Sequence, residues 1–142
     1  MDRTKATFKL LDHTADLGIR VVGPDLETLF ENAGKALVQV MVRGALPAKA
    51  SPLTLAVTGE DLADLMVRWL GEILYLFEGD HLITAFLNVH TVTPSRIEAT
   101  LQTTPFDPEI HEIQHEIKAV TYHQIEVAEK DGHWEARIIF DL

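Results

Sequence analysis

Two stretches of this chain repeat apolar residues at the spacing of a helix face, and nearly everything around them reads as strand. In the first, Leu26, Leu29, Phe30, Ala33, Leu37, Val40 and Met41 form one stripe. Gly23-Pro24-Asp25 precedes it, stopping an extended run and offering Asp25 as the N-cap. In the second, Leu62, Leu65, Met66, Trp69, Leu70, Ile73 and Phe77 recur at the same spacing. Thr58, three residues before Asp61, is a capping-box candidate, and Glu78-Gly79-Asp80 is expected to end that helix. A helix with an apolar stripe must bury it against another element, so each should lie on a sheet.

The strands that would form that sheet are short. Ala6 to Leu11 and Leu17 to Val22 flank the turn His13-Thr14-Ala15-Asp16. Gly44 to Pro52 holds two prolines and reads as a loop, after which Leu53, Leu55 and Val57 alternate. Leu82 to Val92 and Arg96 to Gln102 lie either side of Thr93-Pro94-Ser95, and Ile97, Ala99 and Leu101 alternate with polar neighbours, so one face of that hairpin should be wet. Beyond the Pro105 and Pro108 loop, Ile117 to Val127 and Trp134 to Phe140 are joined around Asp131-Gly132, a strong hairpin pair. The expectation is α+β: one domain over residues 1–142, largely antiparallel sheet layers, and two amphipathic helices packed on one side.

Composition narrows the function classes. With 46% apolar residues in 142, one sizeable core is affordable. Twelve basic against 22 acidic residues give a net charge of −10, which disfavours direct nucleic-acid binding and favours cationic partners or metal ions. The absence of cysteine removes disulfides, thiolate metal sites and cysteine nucleophiles. Met1-Asp2-Arg3-Thr4-Lys5 opens no apolar run and nowhere do 18 apolar residues follow one another, so a cytoplasmic protein away from membranes is expected.

His111-Glu112-Ile113-Gln114-His115 matches H-E-x-x-H, in which two histidines one helical turn apart hold zinc and the glutamate activates water. That chemistry requires a helix. Two prolines precede the segment and β-formers follow it, while Ile110, Ile113 and Ile117 could line a helical face. In a strand, residues i and i+4 lie roughly 13 Å apart, too far to share one metal. No third ligand follows at a suitable spacing, so a chance match among seven histidines is the preferred reading. A metal-dependent hydrolase using His111, Glu112 and His115 is the alternative. No Gly-rich phosphate loop, G-x-S-x-G elbow or Cys/His pair is present.

The two ends of the chain are acidic. Asp12 and Asp16 bracket His13, and Asp141 stands beside Leu142, whose α-carboxylate would add another oxygen donor. Aspartates in such a turn commonly cap backbone N–H groups, and His13 is ordinarily a structural hydrogen-bonder. If the last strand reaches that turn, however, the gathered carboxylates need a cation, and hard oxygen ligands suit Ca²⁺, Mg²⁺ or Mn²⁺.

Three ordered segments then carry a resemblance: Asp12-His13-Thr14-Ala15-Asp16-Leu17-Gly18, Lys118-Ala119-Val120-Thr121-Tyr122-His123, and the terminal Phe140-Asp141-Leu142. The chain resembles the archease family from Phe8 to Leu142, including the helix spacing and the Asp131-Gly132-His133-Trp134 hairpin. That resemblance implies a non-catalytic accessory protein of RtcB-type RNA ligases in tRNA splicing and RNA repair. It would promote GTP-dependent guanylylation of the ligase histidine and multiple turnover. The resemblance further implies a metal, expected to be calcium, on Asp16, Asp141 and the Leu142 carboxylate. Lys118 is a further functional candidate on the same basis, and Asp12 and His13 are candidate functional contacts from their place in the acidic turn. The remaining alternative is a general chaperone-like metal-binding interaction module.

Overall fold

The computed structural model describes residues 8–12, 16–47 and 51–142. Its elements run β1 (Phe8–Asp12), β2 (Asp16–Gly23), α1 (Leu26–Met41), β3 (Val42–Arg43), β4 (Ser51–Thr58), α2 (Leu62–Asp80), β5 (Leu82–Thr93), β6 (Arg96–Pro105), β7 (Glu112–Ile113), β8 (Ala119–Val120), β9 (Glu126–Lys130) and β10 (His133–Asp141). Strands β1-β2-β10-β8, with β9 also on β10, form the larger sheet; β4-β6-β5 form a second, and β3-β7 a short ribbon. Every described pairing is antiparallel. The α+β class is as expected, and no described helix is long and apolar enough to cross a membrane.

Asp25 caps α1, its carboxylate accepting from Thr28 N at 2.7 Å. The stripe read from the sequence is buried from Leu29 on, with Leu26 partly buried, and so are Gly34, Ala36 and Val38 beside it. That width follows from position: α1 touches β2 and β10 of one sheet, β5 of the other, and α2. A helix apolar around most of its girth is one enclosed on several sides. Trp69 of α2, fully buried, donates its indole N–H to Phe30 O at 2.9 Å and ties the two helices together. Gly23 lets the chain enter α1 closely, since a Cβ there would stand 2.7 Å from Leu29 N.

The cap of α2 differs from expectation. Asp61, not Thr58, accepts from Asp64 N, because only the residue just before Leu62 can reach the first orphan amides. Asp64 in turn accepts from Glu60 N at 2.8 Å. Gly79 lies inside the helix, which closes at His81 in the left-handed region (φ 55°), its N–H reaching Leu76 O and Phe77 O. Proline did not end the β4 ladder either: Pro52 sits within it, paired across from Gln102. β4 is an edge of its sheet, where a missing N–H costs no ladder bond. Between β5 and β6 the register slips at two bulges, and at the second of these Val89 N donates to Glu31 Oε2 of α1 at 3.0 Å.

Asp131 (φ 51°) and Gly132 (φ 82°) make the expected two-residue hairpin between β9 and β10. The continuous strand expected over Ile117 to Val127 is interrupted. Strand β8 pairs with Phe140 and Asp141, and β9 pairs with the same edge of β10 from Arg137 to His133. Between them Thr121 gives both its N–H (3.0 Å) and its hydroxyl (2.8 Å) to Ile139 O. Gln124, at φ 53°, then turns the chain back. Local β-propensity cannot reveal such a bulge.

The HEIQH segment is not a helix. His111 N closes a turn on Asp107 O at 2.7 Å, and Glu112–Ile113 pairs with β3. The buried His111 ring accepts from Asp107 N at Nδ1 (3.0 Å) and meets Ala45 O at Nε2 (2.9 Å). A carbonyl only accepts, so Nε2 carries the hydrogen and both ring nitrogens are occupied. Glu112 is exposed on the short ribbon, and the spacing that zinc requires is absent. The hydrolase alternative on His111, Glu112 and His115 therefore loses its geometry, and His111 is a structural pin. Gly44 permits the approach, since at φ 130° it faces Ile110 O where a Cβ would collide.

On the outer face of the larger sheet, buried Glu135 accepts from Arg20 Nε at 2.8 Å and meets His133 Nε2 at 2.9 Å. The His133 contact, reinforced by Arg20, holds its carboxyl below the ordinary value of 4.5.

Three outcomes follow from these contacts. Gly23→Ala should lose about 1–3 kcal/mol in urea unfolding through backbone overlap, whereas Gly71→Ala, with open space around its Cβ inside α2, should gain up to about 1 kcal/mol. His111→Ala should cost about 1–3 kcal/mol by orphaning Asp107 N and Ala45 O, whether or not zinc is present. A depressed folded-state pKa stabilises above the unfolded value and is lost as pH falls through the folded one. Thermal melts taken downward from about pH 5 should therefore fall less steeply for Glu135→Gln than for the parent.

Candidate functional site

The pairing of β2 with β10 decides what the acidic ends can do. Its register sets Asp141 directly across from Asp16, with Phe140 across from Leu17 and Ile138 across from Ile19. The last strand lies beside β2, with β1 one place further out. Leu17, Ile19, Ala136, Ile138 and Phe140 point into the core, so by alternation Asp16 and Asp141 share the opposite face. Directly opposed residues of an antiparallel pair have Cβ atoms about 4.5–5.5 Å apart. Asp141 is exposed and Asp16 half-buried. One step inward on the same face, Gly18 and fully buried Ile139 form the next pair.

Strand β8 closes the other side of this edge. Ala119 lies across from Asp141, and Lys118 N donates to Asp141 O at 2.8 Å. Lys118 is exposed and thus stands at the edge where the acids meet. Leu142 follows Asp141 and is also exposed. Asp12 is placed by its backbone, across from Leu17. His13, with Thr14 and Ala15 of the turn, lies outside the described residues.

The arrangement is chemically lopsided. Two carboxylates facing each other on adjacent strands repel, and the register of the core holds their Cα atoms opposite one another. Among the described residues no three His, Cys, Asp or Glu side chains gather closely enough to hold a metal ion. Any ion held here would need further oxygens beyond Asp16 and Asp141, from backbone carbonyls, a terminal carboxylate, water or a partner. Such an oxygen-only set favours Ca²⁺, Mg²⁺ or Mn²⁺ over zinc.

The structure also brings in residues that sequence reasoning gave no role. The Tyr122 hydroxyl donates to Asp64 Oδ1 at 2.7 Å, across 58 positions of sequence. Asp64 Oδ2 accepts from Glu60 N and from Arg68 Nε at 2.9 Å. The Tyr122 contact is the main influence holding the Asp64 carboxyl below its usual range, and in return Asp64 pushes the Tyr122 phenol up. No local pattern could announce a bond between the first turn of α2 and a bulge after β8.

Similarity to known proteins extends over nearly the whole chain. The model of the Archease protein family matches residues 8–142. The protein archease of Methanosarcina mazei is 33% identical over 139 residues, 95% of each chain. That of Methanothermobacter thermautotrophicus is 35% identical over 138 residues, 95% of this chain and 98% of its own. Among solved structures, the solution structure of Methanobacterium thermoautotrophicum protein 1598 superposes with a TM-score of 0.79 at 34% identity, covering 95% and 98% of the two chains. A Thermotoga maritima archease, titled a possible chaperone, shares the fold with a TM-score of 0.63 at 18% identity over 94% and 96%. The chain belongs to the archease family.

Proposed function

We propose that this protein activates an RtcB-type RNA ligase, promoting guanylylation of the ligase histidine by GTP and allowing repeated turnover, without itself carrying out a chemical step. The observation that carries the reading is the direct opposition of Asp16 and Asp141 at the end of the larger sheet, in a chain of this family. Asp16, Asp141 and the α-carboxylate that Leu142 bears as a last residue would hold a divalent ion, calcium first. When bound, that ion supplies charge neutralisation for phosphoryl oxygens.

The chain's own residues do the rest. Exposed Asp141 and Leu142 end a strand and so can enter a cleft of the ligase. The buried partners Phe140 and Leu17 hold the two acids at fixed separation while they do so. Nucleotidyl transfer depends on in-line placement and charge compensation, so rigid carboxylates at the right spot are sufficient to change its rate. Lys118, whose backbone is bonded to Asp141 O and whose side chain is exposed, would offer a positive charge to a phosphate at the same edge. The net charge of −10 favours docking to a basic groove built for RNA, with no direct contact to nucleic acid by this chain.

Two readings compete in one experiment. A general chaperone, the description attached to the Thermotoga protein, would suppress aggregation of unrelated clients with or without the acids. Guanylylation of a purified cognate ligase under GTP should instead rise to multiple turnover when this protein is added. Asp141→Asn should lower that stimulation by about tenfold or more, with urea unfolding little changed because the side chain is exposed. A one-residue C-terminal extension should weaken both calcium binding and stimulation. Full stimulation by both variants would leave the chaperone reading standing.

A further inference from the structure

We infer that the hydrogen bond from Tyr122 to Asp64 is a positioning device for the acidic edge, holding the Lys118–Thr121 segment against the end of β10 and so fixing where Lys118 stands beside Asp141. The functional consequence rests on the proposed role of that edge; the structural part does not.

Three observations carry it. First, β8 has only two residues in register with β10, Ala119 and Val120. Its flanking bonds, Lys118 N to Asp141 O and Thr121 to Ile139 O, are all to the same strand. So short a ladder is readily opened on its own. Just beyond it the chain leaves β10 for the bulge, turning at Gln124, before β9 resumes the pairing.

Second, the apex of that bulge is anchored elsewhere. Tyr122 is 56% exposed, so burial does little to hold its ring. What does hold it is the bond to Asp64, an acceptor whose place is set three times over. Asp64 belongs to the first turn of α2, accepts from Glu60 N, and pairs with Arg68 one helical turn on. A carboxylate in a helix's first turn is also favoured by the helix dipole. Hydrogen bonds to a charged acceptor are among the stronger ones available at a surface.

Third, a lysine needs such an anchor. Its side chain has many rotamers and its ammonium is a point charge, so the backbone decides which partners it meets. Lys118 is the residue whose N–H meets Asp141 O. Displacing the bulge would pull first on Thr121 and then on the Ala119–Val120 pairing that keeps Lys118 at the edge. Tyr122 thus acts through Lys118, as a positioning residue.

The test uses the full chain with Tyr122→Phe, which removes one oxygen, Asp64→Asn, the double variant, and each Tyr122 form combined with Lys118→Met. Hydrogen exchange by NMR should show the Lys118 and Thr121 amides exchanging about threefold to tenfold faster in Tyr122→Phe, with Ile97 and Leu101 in β6 unchanged. Half-maximal stimulation of the cognate ligase should require a similarly larger concentration of the variant, with the maximum retained. The double variant should be no worse than the more affected single one. In the Lys118→Met background, Tyr122→Phe should add nothing to the loss of stimulation. Unchanged exchange at Lys118 and Thr121 would overturn the device itself. Faster exchange with unaltered stimulation, or an undiminished effect of Tyr122→Phe once Lys118 is gone, would overturn its role at the edge. Failure of the ligase reading would appear separately, as full stimulation by Asp141→Asn, and the exchange measurement would still decide the clamp.

Discussion

The pairing of β2 with β10 is the contact on which the rest of the molecule depends. Eight residues on each strand are in register, from Trp134 across Gly23 to Asp141 across Asp16. Because side chains alternate, that register sends Leu17, Ile19, Val21, Ala136, Ile138 and Phe140 into the core and leaves the acids on the other face. A slip of one residue would reverse both sets at once, exposing the apolar row and burying two aspartates. The cost of mispairing a core of this size therefore guards the geometry of the acidic edge. The site inherits its precision from the hydrophobic effect rather than from interactions of its own.

The helices make the register worth defending. α1 meets strands of both larger sheets, and α2 meets α1 and β5. Phe30, Leu37, Leu65, Met66, Trp69, Leu70 and Ile73 are all fully buried. Gly34 allows the close packing at their centre, where a Cβ would stand 2.7 Å from Leu87 Cδ2 and 3.1 Å from Ile73 Cδ1. The buried Trp69–Phe30 hydrogen bond satisfies the one polar atom that the indole brings into this region.

Features set by a few consecutive residues were legible in the sequence. The Asp131-Gly132 hairpin, the Asp25 cap and the alternation of Ile97, Ala99 and Leu101 all express local backbone chemistry. The misreadings have the opposite character. The Ile117–Val127 run broke in two because β10 offers its edge to two separate segments. HEIQH carried the residue types of a zinc site, yet His111 is held by Asp107 and by Ala45, 66 positions away. The acidic pair was half legible: both aspartates stood out, but their exact opposition needed the partner strand to be known. Tyr122 and Asp64 were illegible altogether, since neither lies in a pattern that names the other.

Electrostatics gives the acidic edge its direction. At most surfaces, side-chain freedom and solvent screening let like charges avoid each other, and their repulsion is small. At Asp16 and Asp141 the ladder that aligns the core fixes the two Cα atoms opposite each other, leaving only side-chain rotation to separate the carboxylates. Positive charge brought to such a pair, from a side chain or an ion, lowers its repulsion. The structure keeps Lys118 on the neighbouring strand by a backbone bond to Asp141 itself. Under the proposed function a divalent ion would neutralise this edge. Such an ion would offer coordination sites that phosphate oxygens can fill, which an ammonium does not.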